Sequence, residues 1–369
     1  MNLTQTAQFT RRAVATTIVL VLALTVGRVG WKTGVAVYRH FFPPQKPPPE
    51  VAFGKLPSQK IAAVDADSSE WEYILDTPTG RLPMTPDRLP VFPLAKVPAT
   101  PLTEQSAQIL AQSMGFSSAP QVLAPNEYRW NDSLRTLEMN IVSQNFSLKT
   151  NLNFLGVRLP LGTAPLEDSA ERAASNLLSR FSPAGVTLSC REVTFARIQK
   201  GMLERVESIS QAQLVRVDFG KVIDVDNQVY QVYGPRPKEG LVQVYVIGVY
   251  RDPNEQFPLI NYQNWEIKTD EGSTYPILSS TEAWQKLGGE GAAVVYFKPQ
   301  EADLYRDYSP PKVEKVRIQE IYLAYFESQS PQKHLLPIFV FEGLAEVPNQ
   351  KLWEVVVYLP AVADAWFEN

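Results

Sequence analysis

Few side chains in this chain have types and spacing that could do chemistry. Cys190 is the only cysteine of 369 residues. A lone thiol cannot form an internal disulfide, and without a setting of a basic residue plus a histidine it reads as a small buried hydrophobe. The two histidines, His40 and His334, lie far apart, and neither has a metal-ligating neighbour at useful spacing. For acyl transfer, which needs a nucleophile, a base and an oxyanion hole, His334 would be the histidine base. The carboxylate pairs Asp224/Asp226 and Asp303/Asp307 have the residue types of a glycosidase. The first pair falls in Asp224-Val225-Asp226-Asn227, whose turn chemistry already explains both aspartates. The acidic group Asp65, Asp67, Glu70 and Glu72 lacks the glycine of a calcium loop and reads as a solvated loop. No catalytic residue, cofactor site or metal site is therefore assigned from the sequence.

Composition narrows the class further. The chain is 44% hydrophobic and 20% charged, with a formal net charge of −4. These values fit a folded chain and give no basic face for a nucleic acid.

The strongest asymmetry lies at the N-terminus. Ala13 to Gly27 carries no charge, includes Ile18, Leu20, Leu22 and Leu24, and follows Arg11-Arg12. Extended to Tyr38, with Trp31 as an interfacial aromatic, it reaches the length of a membrane-spanning helix. An uncleaved anchor over 13–38 is expected. A cleaved signal peptide competes, but no good small-x-small cleavage site follows. Prolines 43, 44, 47, 48 and 49 make 39–50 a stiff spacer, with a ligand for an aromatic groove as the alternative. Basic residues lie on both sides of the run; a literal count favours a cytoplasmic C-terminal region.

Behind the spacer, 51–100 reads as a proline-rich, extended lead-in after the N-terminal tail 1–12. The remainder predicts three α+β units, each one helix followed by an antiparallel meander: 101–165, 166–278 and 279–369. In the first unit Thr103 caps a helix. In the second, Asp168 and Glu171 suggest a capping box, and Ala170, Ala173, Ala174, Leu177, Leu178 and Phe181 share one helix face. The third opens on Ser279-x-x-Glu282. Pro337 should lie at an edge or at a strand start.

The third unit carries Tyr275-Pro276-Ile277, the helix Ser280 to Leu287, the strand Ile321 to Phe326, and Leu335 to Gly343. Together these segments resemble the PepSY-type module and the C-terminal module of YycH/YycI-type membrane-anchored regulators. Phe53 to Pro57 is a second match, to single-span proteins of candidate-phyla bacteria. The resemblance implies an extracytoplasmic, bacterial-envelope domain, outweighing the charge count, and it implies no catalytic residue.

The resulting expectation is a non-catalytic, membrane-anchored extracytoplasmic binding or regulatory protein. Its partners would be the bilayer and an envelope protein, with no nucleic acid and no cofactor. A structural subunit of an envelope or secretion assembly is the alternative, and a hydrolase ranks below both. The candidate contact surface is Arg236 and Lys238, in a Gly/Pro-rich loop, with Tyr262 and Trp265, whose rings serve equally well as core.

Overall fold

Alternation of apolar and polar residues sets strands such as Glu127–Asn131, Arg135–Asn140 and Phe146–Thr150, and continuous apolar runs set buried ones such as Val242–Ile247 and Trp353–Pro360. In the computed structural model, which describes residues 48–68, 70–95, 99–181, 188–347 and 351–368, the elements run as follows. Strands β1 (Glu72–Leu75) and β2 (Arg88–Pro93) precede helix α1 (Pro101–Ser113). Next come β3 (Gln121–Ala124), β4 (Glu127–Asn131), β5 (Arg135–Asn140) and β6 (Phe146–Thr150). Helices α2 (Leu152–Arg158) and α3 (Glu167–Leu178) lead to β7 (Leu188–Gln199), β8 (Met202–Arg205), β9 (Leu214–Val225) and β10 (Gln228–Tyr233). Then follow β11 (Val242–Ile247), β12 (Leu259–Tyr262), β13 (Ser273–Pro276) and helix α4 (Ser280–Gln285). The chain closes with β14 (Ala293–Pro299), β15 (Lys315–Phe326), β16 (His334–Ala345) and β17 (Trp353–Pro360).

Shared ladders join the seventeen strands into one mixed sheet, and residues 49–369 form one compact unit. In the first half the order is β3-β4-β5-β6-β12-β11-β9-β7-β8, antiparallel throughout. One face of these strands (Leu137, Phe146, Leu148, Val215, Val217, Val244, Ile260) meets α1 and α3 in a buried core. In the second half the order is β15-β16-β17-β14. The free edge of β15 takes two parallel partners, β1 at Lys315–Ile318 and β10 at Tyr325–Phe326. Trp265, Phe339, Phe341, Ala283 and Leu287 share the core on one face of this half. Each fully buried large apolar side chain contributes about 1.5–3 kcal/mol.

The three-unit expectation is corrected by these pairings. Strand β6, placed in the first unit, pairs with β12 of the second, and β10 of the second pairs with β15 of the third. Strand β14 lies beside β17, not beside β15, so the last four strands are no meander. Tyr275-Pro276 belongs to β13, which pairs with β2 instead of with that group. An open strand edge leaves backbone groups unpaired, and here each supposed unit closes its edge on the next.

The local helix signals hold for α4 and are corrected for α1 and for the Asp168/Glu171 capping box of α3. Thr100, not Thr103, caps α1; Thr103 completes the capping box from the third position, with Pro101 first in the helix. Helix α3 starts at Glu167 without a side-chain cap, so Asp168 lies in its first turn and acts on the helix dipole. Ser279 and Glu282 form the expected box on α4. Pro337 sits near the start of β16, where pairing passes from β2 (His334, Leu335) to β17 (from Ile338). Its missing N–H falls at that changeover.

Among the described residues no helix is long and apolar enough to cross a membrane. The expected anchor, including Ala13, Ile18, Leu20, Leu22, Leu24 and Trp31, and His40 and most of the spacer lie outside the described residues. A large mixed sheet replaces the description by a transmembrane helix and PepSY-like units for the part that is described.

Candidate functional site around the loop Gly234 to Gly240

Strand β9 is buried on both faces. Val215, Val217 and Phe219 enter the core, which turns Arg216 and Asp218 to the opposite side. The loop between β10 and β11, Gly234 to Gly240, crosses that side. Asp218 holds it: the Gly240 N–H donates to Asp218 Oδ1 at 2.6 Å. Gly240 is needed for this approach, since a Cβ there would lie 2.7 Å from both the backbone N and O of Phe219. Asp218 also accepts from Arg216 Nη2 at 2.7 Å, and the Arg216 Nε lies 2.7 Å from its other oxygen in the ion pair. Glu239 fastens the middle of the loop, accepting from Gln243 Nε2 at 2.8 Å and Arg236 Nη1 at 3.3 Å.

Beneath the loop lies a cavity of about 360 Å³. Lys238 reaches into it, with its ammonium 3.3 Å from Glu342 Oε2, 3.4 Å from Glu354 Oε2 and 5.9 Å from the Tyr296 ring centroid. Tyr322 donates its hydroxyl to Glu342 Oε1 at 2.5 Å and lies 3.1 Å from the Tyr233 hydroxyl. The Arg191 guanidinium stands 5.0 Å over the Tyr233 ring. Glu342 comes from β16, Glu354 from β17, Tyr322 from β15 and Tyr296 from β14.

The electrostatics fix the protonation states of this cavity. Burial opposes the charge of Lys238, but Glu342 and Glu354 outweigh it and hold its pKa above the ordinary lysine value. Burial, reinforced by Glu342, pushes the Tyr322 hydroxyl far up. Burial and then Glu354 do the same to Tyr296. Each of these shifts carries the group's pKa further above pH 7, so the hydroxyls stay protonated donors and the ammonium stays charged.

On the other side of the loop a wider, open cavity of about 620 Å³ lies on the solvent face of β5, β6, β12 and β11, with Arg236 on its wall.

The sequence-level candidates fall in separate places. Arg236 is exposed and Lys238 half-buried, and both belong to this loop. Tyr262 and Trp265 are 3% and 1% exposed, so neither offers its ring as a contact surface. Tyr262 stacks on Phe146 with centroids 4.9 Å apart, and Trp265 donates through Nε1 to the Ser328 carbonyl at 3.3 Å. Tyr262 ends β12 on the core side of the first half, and Trp265, beyond that strand, enters the core of the second half.

Cys190 lies on β7, where burial, then nearby Glu171 and Asp218, push its thiol up and away from thiolate. His334 opens β16 with its ring 4.8 Å from Phe53. Asp226 and Asn227 take positive φ in the β9–β10 turn, and Asp224 Oδ1 accepts from the Asn227 N–H. Asp303 accepts from the Tyr305 N–H at 3.0 Å. Among the described residues no group of three or more His, Cys, Asp or Glu could hold a metal ion.

Sequence reasoning missed Asp218, Tyr296, Tyr322, Glu342 and Glu354. A usable signal exists for one of them: Glu342 interrupts the apolar run Leu335 to Phe341 inside a strand.

No protein-family model matches this chain, and no curated protein matches it. With the observed topology, this overturns the resemblance to PepSY and YycH/YycI-type modules. Among solved structures, the crystal structure of an uncharacterized protein from Eubacterium rectale is similar at 11% identity. That match covers 78% of this chain and 86% of the other, with a TM-score of 0.36, too distant to carry an argument about fold or function.

Proposed function

We propose that this protein is a non-catalytic binding or regulatory protein, in which the loop Gly234 to Gly240 is the recognition element for a protein partner. The observation that supports it most is the state of the cavity under the loop. Lys238 is already neutralised by Glu342 and Glu354, and the shifts of Lys238, Tyr296 and Tyr322 all lead away from proton exchange near neutral pH. General acid–base catalysis needs the opposite, a group brought near the working pH. A rigidly held polar loop with an exposed arginine at its tip suits recognition. Attachment to a membrane through the N-terminal apolar run is part of the same proposal and rests on the sequence. Attachment would raise the effective concentration near a membrane partner.

The test uses the full-length protein as bait against native membrane extract. The partner recovered should be retained by His334→Ala, Cys190→Ser and Asp226→Asn and lost with Arg236→Glu. Loss of function with His334→Ala at unchanged stability would favour an enzyme instead.

A further inference from the structure

The open cavity beside Arg236 has an ordered floor. Strand register places Arg129, Glu138, Ser147, Asn261, Gln243, Asp218 and Glu192 directly opposite one another, one per strand, across seven neighbouring strands, and Glu138, Ser147, Asn261 and Gln243 of this row line the cavity. The charges at one end of this row are paired, with Arg129 Nε donating to Glu138 at 2.8 Å. Those at the other end include Asp218, held by Arg216. Between them lie three uncharged hydrogen-bonding side chains, Ser147, Asn261 and Gln243. Neighbouring strands are about 4.8 Å apart, so the three polar groups repeat at that interval.

Ser147 and Asn261 are half-buried, and their side chains make no hydrogen bond to another described residue. Gln243 donates through Nε2 to Glu239, which leaves its Oε1 as an acceptor. One end of the cavity is apolar, formed by Leu152, Leu203 and Leu259.

We propose that this sheet face binds a polyhydroxylated ligand, a segment of an oligosaccharide. Backbone donors and acceptors on the face are consumed by the ladders, so an extended peptide would find no main-chain partners here, as it would at a strand edge. The central row, Ser147, Asn261 and Gln243, carries no charge, and the charged residues that line the cavity, Glu127, Glu138, Lys149 and Arg236, are two of each sign, so a ligand of one strong charge is not favoured. Hydroxyls, which both donate and accept, match a serine and two amides, and the C–H faces of sugar rings match the leucine end. Arg236 borders both this cavity and the recognition loop, but the assignment does not rest on the protein partner proposed above, because it is read from purified protein and tested at Ser147 and Asn261, which lie outside the loop.

The test is titration of the full-length protein with cellotetraose and with chitotetraose, followed by calorimetry and by amide shifts. At least one tetrasaccharide should bind, with shifts confined to the residues that line this cavity on β5, β6, β11 and β12 and at its leucine end. Asn261→Ala should weaken binding about tenfold, the upper end for one hydrogen bond between uncharged groups, and Ser147→Ala somewhat less. Both variants truncate half-buried side chains with no partner in the fold, and unchanged thermal melting checks that they remain folded. The proposal is overturned if neither sugar binds, if the Ser147→Ala/Asn261→Ala double variant binds as well as the parent, or if an uncharged tetrapeptide of Gly, Ser and Asn binds more tightly than both sugars.

Discussion

Lys221 on β9 and Glu327, directly after β15, form an ion pair with side-chain exposures of 2% and 0%. The pair joins the two halves of the sheet at the point where β10 meets β15. Lys221 also donates to Asn264 Oδ1 at 3.2 Å and to the Trp265 carbonyl at 2.8 Å, while Glu327 Oε1 accepts from the Trp265 N–H at 3.2 Å. Burial lowers the Lys221 pKa and raises that of Glu327, and their mutual attraction opposes both shifts. Removing one partner strands the other away from water. Lys221→Met should therefore cost about 3–5 kcal/mol in urea unfolding. The double variant Lys221→Met/Glu327→Leu should cost clearly less than the sum of the single changes. Additive losses would show that the two groups do not act as a pair.

Lys238 should show its pairing through pH. Its folded pKa lies above the ordinary value of 10.5, so the stability it contributes is fully present below 10.5 and is lost as pH rises through the folded value. The stability gap between the parent and Lys238→Met should be about 1 kcal/mol at pH 7, modest because the pair is partly exposed. It should be unchanged down to pH 6 and should shrink only in strongly alkaline buffer. A gap that closes between pH 7 and 9 would contradict this placement.

Glu255 should act at the acid end. It accepts from Arg158 Nη2 at 2.6 Å, and this bond, then the Arg251 N–H, lower its pKa from 4.5 to about 2. A depressed carboxylate stabilises above its unfolded value and loses that contribution as pH falls through the folded one. Comparison with Glu255→Gln should give a constant difference above about pH 4.5, of the order of 1 kcal/mol or less for so exposed a pair, closing toward pH 2. Denaturant melts at several pH values provide the check.

Gly240→Ala should lift the loop. The new Cβ would meet the Phe219 backbone on β9, which cannot move aside without breaking its ladder with β11. A cost of about 1–3 kcal/mol is expected from such overpacking. Limited trypsin digestion should then cut faster after Lys238, because the Asp218 anchor at Gly240 is lost. Equal cleavage rates in parent and variant would mean that Gly240 does not set the loop.

The sequence by itself determined the local elements. The box Ser279/Glu282 marked the start of α4. The face Ala170, Ala174, Leu177 and Leu178 marked the buried side of α3. Such signals depend on a few neighbouring residues and on the periods of helix and strand, so they survive without knowledge of the rest. The tertiary structure alone decided which strand lies beside which. An alternating strand such as β6 presents the same backbone groups to any partner, and nothing within Phe146–Thr150 names β12 as its neighbour. For the same reason Lys221, Glu327, Glu342 and Glu354 read as ordinary surface charges along the chain. Only the long-range pairings enclose the first two, and bring the last two around Lys238, because burial and charge pairing are properties of the folded arrangement.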